Sequence, residues 1–274
     1  MIDNLMSFKA KIRNFSLKKG ITAQVVLQNF VIERFLERIS KSIYVDNYVI
    51  KGGILIASIV GIDKRSTMDL DTTIIRTKLN EEFLLESIQS ICSINLNDNL
   101  MYEMYNISHI RKDDIYGGYR VSIKSRFDKI KVSFQIDITT GDVMTPKEKE
   151  FVFNKLFNEG MFELNAYNIE TILAEKVETV LSRAEFNTRP RDFYDIYILT
   201  KTQVFNKKEF QLSLNNTAIH RNSLEKIQDH INIIEEIKKS EILENRWNKY
   251  RKDYKYASDI SYEDVIESLI SLIN

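Results

Sequence analysis

The segment from Ile130 to Ile138 alternates apolar and polar residues without a break. A period of two is that of a β-strand with one buried face and one polar face, and such a strand needs neighbours to cover its apolar side. The chain must therefore contain a sheet. Shorter apolar runs predict three more strands, at 48–50, 68–75 and 119–126.

Helical periodicity surrounds these strands. Near the amino terminus it runs from Thr22 to Ile39, where Thr22 is a suitable cap, and shorter helices are expected at 54–60 and 80–92. After Lys147 strand signals fade, and the clearest helices are predicted at 169–184, 192–200, 224–239 and 262–272. These patterns predict an α+β protein with two domains. Residues 1–146 hold the amino-terminal helices and the sheet, and residues 147–274 form a helical carboxyl-terminal domain.

The composition excludes several classes of protein. Lys and Arg number 39 and Asp and Glu also number 39, so a nucleic-acid partner must be held locally rather than by a general positive field. No apolar run approaches the roughly 20 residues of a membrane span, and no export signal is visible, so we expect a cytoplasmic protein without a membrane partner. The single cysteine, Cys92, and three scattered histidines lack the spacing of a zinc site.

Asp69 and Asp71 stand two positions apart on a predicted strand, so their carboxylates emerge on the same face. Two such charges repel unless a cation neutralises them, and Mg²⁺ suits carboxylate oxygens combined with nucleotide phosphates. Taken alone, this motif is more often a solvated strand face. Asp137, on the polar face of the next predicted strand, adds a third carboxylate, and three of them could hold two metal ions. We predict Asp69, Asp71 and Asp137 as ligands of Mg²⁺, with Mn²⁺ as the alternative ion.

Gly52 and Gly53 form a predicted turn in front of a short helix. Residues without a Cβ let backbone N–H groups approach a phosphate, although a plain tight turn explains the pair equally well. Lys51 precedes the glycines and no Gly-Lys-Ser or Gly-Lys-Thr follows, which excludes a Walker-type phosphate loop. We predict Lys51, Gly52 and Gly53, with Arg65 and Thr67, as nucleotide-binding residues.

Charged residues of two carboxyl-terminal helices are further candidates. Lys176 lies off the apolar stripe of its helix and could reach a phosphate, although most helical lysines are merely solvated. Asp192 and Asp195 share one helical face near a helix start. Capping, and pairing with Arg189 or Arg191, is an equal alternative for these two aspartates.

Basic and aromatic residues are interleaved from Asn245 to Tyr256. Such a stretch could hold an RNA backbone and stack on its bases. The alternative is an ordinary amphipathic surface helix.

Six segments, taken in order, resemble the AbiEii family of nucleotidyltransferase toxins, and the likeness covers residues 8–200. They are Leu27 to Phe30 with Glu33 to Arg38, Lys51-Gly52-Gly53, Arg65 to Asp71, Ile136 to Val143, Ala174-Glu175-Lys176, and Arg189 to Asp195. The resemblance implies a DNA polymerase β-like nucleotidyltransferase fold with a mixed sheet, followed by a helical carboxyl-terminal domain. It also implies a toxin of a type IV toxin–antitoxin or abortive-infection system that defends against phage.

The resemblance further implies an enzyme that binds a nucleoside triphosphate, GTP or CTP, with Mg²⁺. Its expected acceptor is a hydroxyl group, with the tRNA 3′ end as the first candidate, and its expected partner is a cognate antitoxin acting with or without direct contact. In this mapping Asp69 and Asp71 hold the metal, Lys176 contacts the triphosphate, and Asp192 or Asp195 is the later essential acid. Asp137 is added to the catalytic set on geometry.

One position departs from the family pattern. The usual Gly-Ser turn is Gly53-Ile54 here, so a serine hydroxyl contact to phosphate is missing. Two alternatives therefore stay open: a protein that binds the nucleotide without transfer and acts by sequestering a partner, and an enzyme whose acceptor is a protein side chain. Transfer of the γ-phosphate is disfavoured because the sequence has no recognisable kinase loops.

Overall fold

The computed structural model describes residues 5–110 and 117–274, with the side chain of residue 158 left aside. The chain divides into two compact units. The first comprises residues up to 142 together with 149–166, and the second comprises 143–148 together with 167–274. Within the described residues, no helix is both long enough and apolar enough to cross a membrane.

The first unit is built on one mixed sheet. Its strands are β1 (Tyr48–Lys51), β2 (Leu70–Ile74), β3 (Met101–Ile110), β4 (Gly118–Phe127), β5 (Ile130–Thr140), β6 (Lys149–Asn154) and β7 (Met161–Ala166), in the spatial order β3-β4-β5-β2-β1-β7-β6. The β2–β5 and β1–β7 pairs are parallel, and the other pairs are antiparallel. The pattern that predicted β5 is confirmed, because Val132, Phe134, Ile136 and Ile138 are all buried.

The described part of this unit also contains the α-helices α1 (Leu5–Lys19), α2 (Ala23–Ser40), α3 (Gly52–Val60) and α4 (Glu81–Ser93). The predicted cap of α2 is confirmed, since the Thr22 side chain accepts a hydrogen bond from the Val25 N–H. Buried apolar residues of α2, among them Phe30, Ile32 and Phe35, supply much of the core.

The second unit is helical. Its helices are α5 (Ile169–Arg183), α6 (Pro190–Thr202), α7 (Lys207–His220), α8 (Leu224–Gln228), α9 (His230–Lys239), α10 (Glu241–Asp253) and α11 (Tyr262–Ile273). Asn168 caps α5 by accepting from the Thr171 N–H, and Ser261 and Asp264 form a reciprocal capping box on α11. The predicted helix at 224–239 is two helices, α8 and α9, separated at Asp229.

Strand signals do not end at Lys147 as the sequence suggested. Residues 149–154 and 161–166 form β6 and β7, which pair with each other and join the sheet through β1, so they lie in the first unit rather than in the helical part. Strand β3 was also missed. Both edge strands, β3 and β6, are largely exposed and carry little apolar alternation, which leaves no clear period of two. Strand β7 does alternate, with Phe162, Leu164 and Ala166 buried, and its signal was overlooked. The α+β class is nevertheless confirmed, and a mixed sheet followed by helices is consistent with the expected polymerase β-like arrangement.

Candidate active site

Four charged residues lie side by side on four neighbouring strands. Lys51 of β1 is paired in register with Asp71 of β2, Asp71 with Asp137 of β5, and Asp137 with Arg120 of β4. Residues directly opposite each other on adjacent strands share a face of the sheet. These four side chains, which we call the charged row, therefore form a line with the two carboxylates between the two cations.

Asp71 is the second residue of β2, and Asp69 lies directly before the strand begins at Leu70. Leu70 and Thr72, which alternate with them, are fully buried, whereas Asp69 is exposed and Asp71 is partly exposed. Both carboxylates are therefore within reach of a ligand from solvent. Their hard oxygen donors suit Mg²⁺ held jointly with phosphate oxygens.

Gly52 leaves the space that the Asp71 carboxylate fills. Its φ is +67°, and a Cβ at this position would lie 2.1 Å from Asp71 Oδ2. A side chain at residue 52 would therefore displace the carboxylate. This close approach gives the predicted glycine turn a physical reason and supports the fit of a metal ion at Asp71.

Gly53 makes a similar close approach to two other predicted residues. A Cβ on Gly53 would lie 2.7 Å from Thr67 Oγ1 and 3.2 Å from Arg65 Nη2. Arg65 is only 2% exposed, and its Nη1 donates to the Ser66 carbonyl. The structure thus brings Arg65 and Thr67 against the glycine turn, in buried positions that support the backbone there.

The ammonium group of Lys51 contacts two residues at and just after the end of β5. It donates to Thr139 Oγ1 at 2.7 Å and forms an ion pair with Asp142, which also accepts from the Thr139 hydroxyl. Thr139 and Asp142 were not predicted as site residues. The family-like segment from Ile136 to Val143 was the available signal for them.

Asp137 is held by Arg120. Arg120 Nε donates to one carboxylate oxygen and Nη2 to the other, both at 2.7 Å. These hydrogen bonds, with the charges of Asp137, Asp69 and Asp71, raise the pKa of Arg120 above its usual value. Among the described residues, no group of three His, Cys, Asp or Glu side chains is arranged to hold a metal ion. Asp69, Asp71 and Asp137 as a set of metal ligands therefore stay a prediction, and in this structure Asp137 is bound to Arg120.

Two buried amides of α2 position the chain in front of Asp69. Gln28 Nε2 donates to the carbonyls of Met68 and Ser133, and Asn29 Nδ2 donates to the Thr67 carbonyl at 2.9 Å. Sequence reasoning missed these roles. The signal was present, because two adjacent amides interrupt an otherwise apolar helix face between Val26 and Phe30.

The second unit contains the other predicted charged residues. Lys176 of α5 lies between two aspartates of α6, with its Nζ 2.6 Å from Asp192 Oδ1 and 3.0 Å from Asp195 Oδ2. Both carboxylates are buried, and Asp192 Oδ2 has no hydrogen-bond partner among the described residues. Asp192 and Asp195 are therefore joined through Lys176.

Two of the aromatic rings in the basic and aromatic stretch around α10, those of Trp247 and Tyr250, are buried. Trp247 is 1% exposed and donates to the Ile260 carbonyl, and Tyr250 packs against Tyr194 and Tyr256. Lys249 and Lys252 are exposed on the other face. The helix is amphipathic, and base stacking is wrong for Trp247 and Tyr250 because their rings belong to the core of the unit. Tyr254 and Tyr256 are partly exposed, and RNA binding by this stretch stays a prediction.

Comparisons with known proteins match the chain to nucleotidyltransferases. The family model described as "Nucleotidyl transferase AbiEii toxin, Type IV TA system" matches residues 34–268, which is most of the chain. No curated protein gives a significant match.

Three solved structures are similar to the chain. A putative nucleotidyltransferase from H. pylori is 17% identical, covers 92% of this chain and 94% of its own, and has a TM-score of 0.49. JHP933 from Helicobacter pylori is 19% identical, with 92% and 91% covered and a TM-score of 0.48. An antigenic nucleotidyltransferase-like protein from Paracoccidioides brasiliensis is 16% identical, with 72% and 90% covered and a TM-score of 0.43.

Proposed function

The chain belongs to the AbiEii family of nucleotidyl transferase toxins of type IV toxin–antitoxin systems, and from this premise we propose that it binds a nucleoside triphosphate with Mg²⁺ at Asp69 and Asp71 and transfers a nucleotide to a hydroxyl acceptor. The observation that carries the proposal is the packing of Asp71 over Gly52, beside Asp69 on the same exposed face. A cognate antitoxin is the partner that such a toxin system implies.

Phosphate binding is assigned to the start of α3. This helix begins at Gly52 directly after β1, and no side chain caps its first turn. The first N–H groups of a helix lack intrahelical partners and attract anions. These backbone donors substitute for the serine hydroxyl that the Gly53-Ile54 turn lacks. Lys51, Arg65 and Thr67 are proposed to support the same turn.

The chemistry is an in-line displacement at the α-phosphate. Mg²⁺ held by Asp69 and Asp71 would neutralise the triphosphate and polarise the reacting phosphate. Asp137 is proposed to orient the acceptor hydroxyl and take its proton as the new oxygen–phosphorus bond forms. Pyrophosphate leaves as the bond to the bridging oxygen breaks. Lys176 as a triphosphate contact, and Asp192 or Asp195 as a further essential acid, are proposed on the family resemblance.

The acceptor is proposed to be a tRNA 3′ end and the nucleotide GTP or CTP. Transfer of this kind would inhibit growth of the producing cell and thereby block phage. The pairing of Asp137 with Arg120 also allows a protein that binds nucleotide and does not transfer it, with toxicity by sequestration of a partner. A protein side chain is the alternative acceptor.

Incubation with each α-labelled nucleoside triphosphate, total RNA and cell extract tests these proposals together. We expect label in the tRNA fraction, and loss of it in Asp71→Asn. The matched control is Asp128→Asn, which alters an exposed aspartate in the β4–β5 turn and should transfer normally. Label in protein would identify the alternative acceptor. Nucleotide bound without transfer would favour sequestration, and undiminished transfer by both Asp69→Asn and Asp71→Asn would refute the metal pair.

A further inference from the structure

We infer that Arg120 is a positioning residue that competes with the divalent cation for Asp137 and thereby sets the affinity of the site for metal. The inference rests on the proposed function in that it takes Asp69 and Asp71 to be the metal pair, and it takes Asp137, predicted from the sequence as a third ligand, to join them when the cation binds. It goes further in assigning a role to an arginine that neither the sequence motifs nor the family resemblance singled out.

Arg120 and Asp137 form a bidentate ion pair. Arg120 Nε and Nη2 each donate at 2.7 Å to a different oxygen of Asp137. A bidentate arginine–carboxylate pair fixes both the direction and the charge of the carboxylate. Asp137 can bring its full charge to a metal ion only if this fork loosens.

Electrostatics explain why the arginine is there. Asp71 and Asp137 are in register on adjacent strands, which run about 4.8 Å apart, and Asp69 adds a third negative charge at the same end of β2. Like charges so close need a cation nearby. Arg120 provides one, and the charges of Asp69 and Asp71 act on it as well as that of Asp137.

The other cation of the charged row, Lys51, pairs with Asp142 and donates to Thr139. Arg120 binds both carboxylate oxygens of Asp137, which is a predicted metal ligand. Arg120 and Asp137 are 42% and 29% exposed, so their contact can exchange with solvent and ions at low cost.

The test measures binding of Mn²⁺ to the nucleotide-free protein, with unbound Mn²⁺ counted by electron paramagnetic resonance at low ionic strength. Arg120→Gln should bind Mn²⁺ roughly two- to fivefold more tightly than the unaltered protein, because an exposed ion pair contributes little and its competition is correspondingly modest. Arg120→Lys keeps the positive charge but cannot make the two-pronged contact. Its affinity for Mn²⁺ should therefore lie between that of the unaltered protein and that of Arg120→Gln. The gain should shrink at high salt.

The matched control is Arg126→Gln. Arg126 lies six residues along β4 from Arg120, is exposed, and donates to the Asp128 carbonyl rather than to a carboxylate. Arg126→Gln removes the same charge from the same strand and should leave the affinity for Mn²⁺ unchanged. If Arg120→Gln and Arg126→Gln raised Mn²⁺ affinity equally, the cause would be the general loss of positive charge. That result would overturn the inference that Arg120 competes for Asp137.

Asp69→Asn and Asp71→Asn separate this inference from the proposed function. If these variants bind Mn²⁺ as well as the unaltered protein does, the metal pair itself is wrong. If they lose binding while Arg120→Gln binds no more tightly than before, the metal pair stands and the inference fails. Weaker binding by Arg120→Gln would also overturn it, since Arg120 would then support the ligand instead of competing for it.

Discussion

The first unit contains two clusters of arginine, lysine and acidic side chains that differ in burial. One is the charged row of Lys51, Asp71, Asp137 and Arg120, where Arg120 and Asp137 are 42% and 29% exposed. The other, the α2 network, joins Lys155, Glu37, Arg34, Asp98 and Arg38 by ion pairs of 2.6–3.0 Å. In that network Arg38 and Asp98 are only 1% and 8% exposed.

Burial decides what each cluster can do. A buried charge that loses its partner has no water to replace it, so the α2 network must stay paired and acts as structure. Burial works against the charge of Asp98, but hydrogen bonds from Arg38 and Arg34 prevail and lower its pKa below the usual value. The partly exposed carboxylates of the charged row can change partners, which is what a site that binds and releases metal and nucleotide requires.

The largest expected effect tests this contrast directly. Asp98→Ala leaves Arg38 and Arg34 without their common carboxylate and should lower the free energy of unfolding by roughly 3–5 kcal/mol. Asp137→Ala removes a partly exposed partner of the same kind and should cost less than about 1 kcal/mol. Urea denaturation of both variants measures the difference. Equal losses would show that burial does not separate the clusters.

The next effect concerns Glu33, which lies in α2 beside the network. Burial raises the pKa of Glu33 to about 8 from 4.5, although its carboxylate accepts a hydrogen bond from the Leu156 N–H. Because the folded pKa is the higher one, the folded state keeps a proton that the unfolded state releases. Stability is therefore lost as pH rises from about 4.5 to about 8.

Glu33→Gln removes that dependence. It should unfold like the unaltered protein at pH 5 and be more stable at pH 8, by an amount of the order of 2–4 kcal/mol. Thermal and urea unfolding at the two pH values provide the measurement. If the difference in stability between Glu33→Gln and the unaltered protein were the same at pH 5 and pH 8, the Glu33 carboxyl group would not titrate in this range.

The third effect, expected at Gly52, combines a modest loss of stability with a large loss of activity. Gly52→Ala places a side chain at a φ of +67° and should cost about 1–2 kcal/mol. Its Cβ would also displace Asp71, so transfer should fall by about 100-fold or more.

Gly20→Ala is the matched control for this change. Gly20 has a φ of +66° and nothing within 4 Å of a built Cβ, so the backbone strain is the same without the clash. It should lose similar stability and keep full transfer. If Gly52→Ala and Gly20→Ala both lost transfer, backbone strain alone would explain the loss. Displacement of Asp71 would then not be needed as a cause.

Local patterns predicted those parts of the molecule that depend on nearby residues. Strand β5 follows from its alternation, and the same-face placement of Asp69 and Asp71 follows from their spacing of two. The edge strands β3 and β6 escaped prediction because exposed strands need no apolar face. The stacking role imagined near Trp247 failed because spacing alone does not tell a buried ring from an exposed one.

The sequence by itself determined an α+β chain with a carboxylate pair on one strand face, a glycine turn upstream and a resemblance that names the family. Only the tertiary structure decided which charges meet. Arg120 pairs with Asp137 through strand register, Gly52 accommodates Asp71 through close packing, and Gln28 and Asn29 hold the segment before Asp69 across more than 30 residues. Such contacts depend on how distant segments pair and pack, because ladder register and side-chain burial are set by the whole core and not by neighbours in the chain.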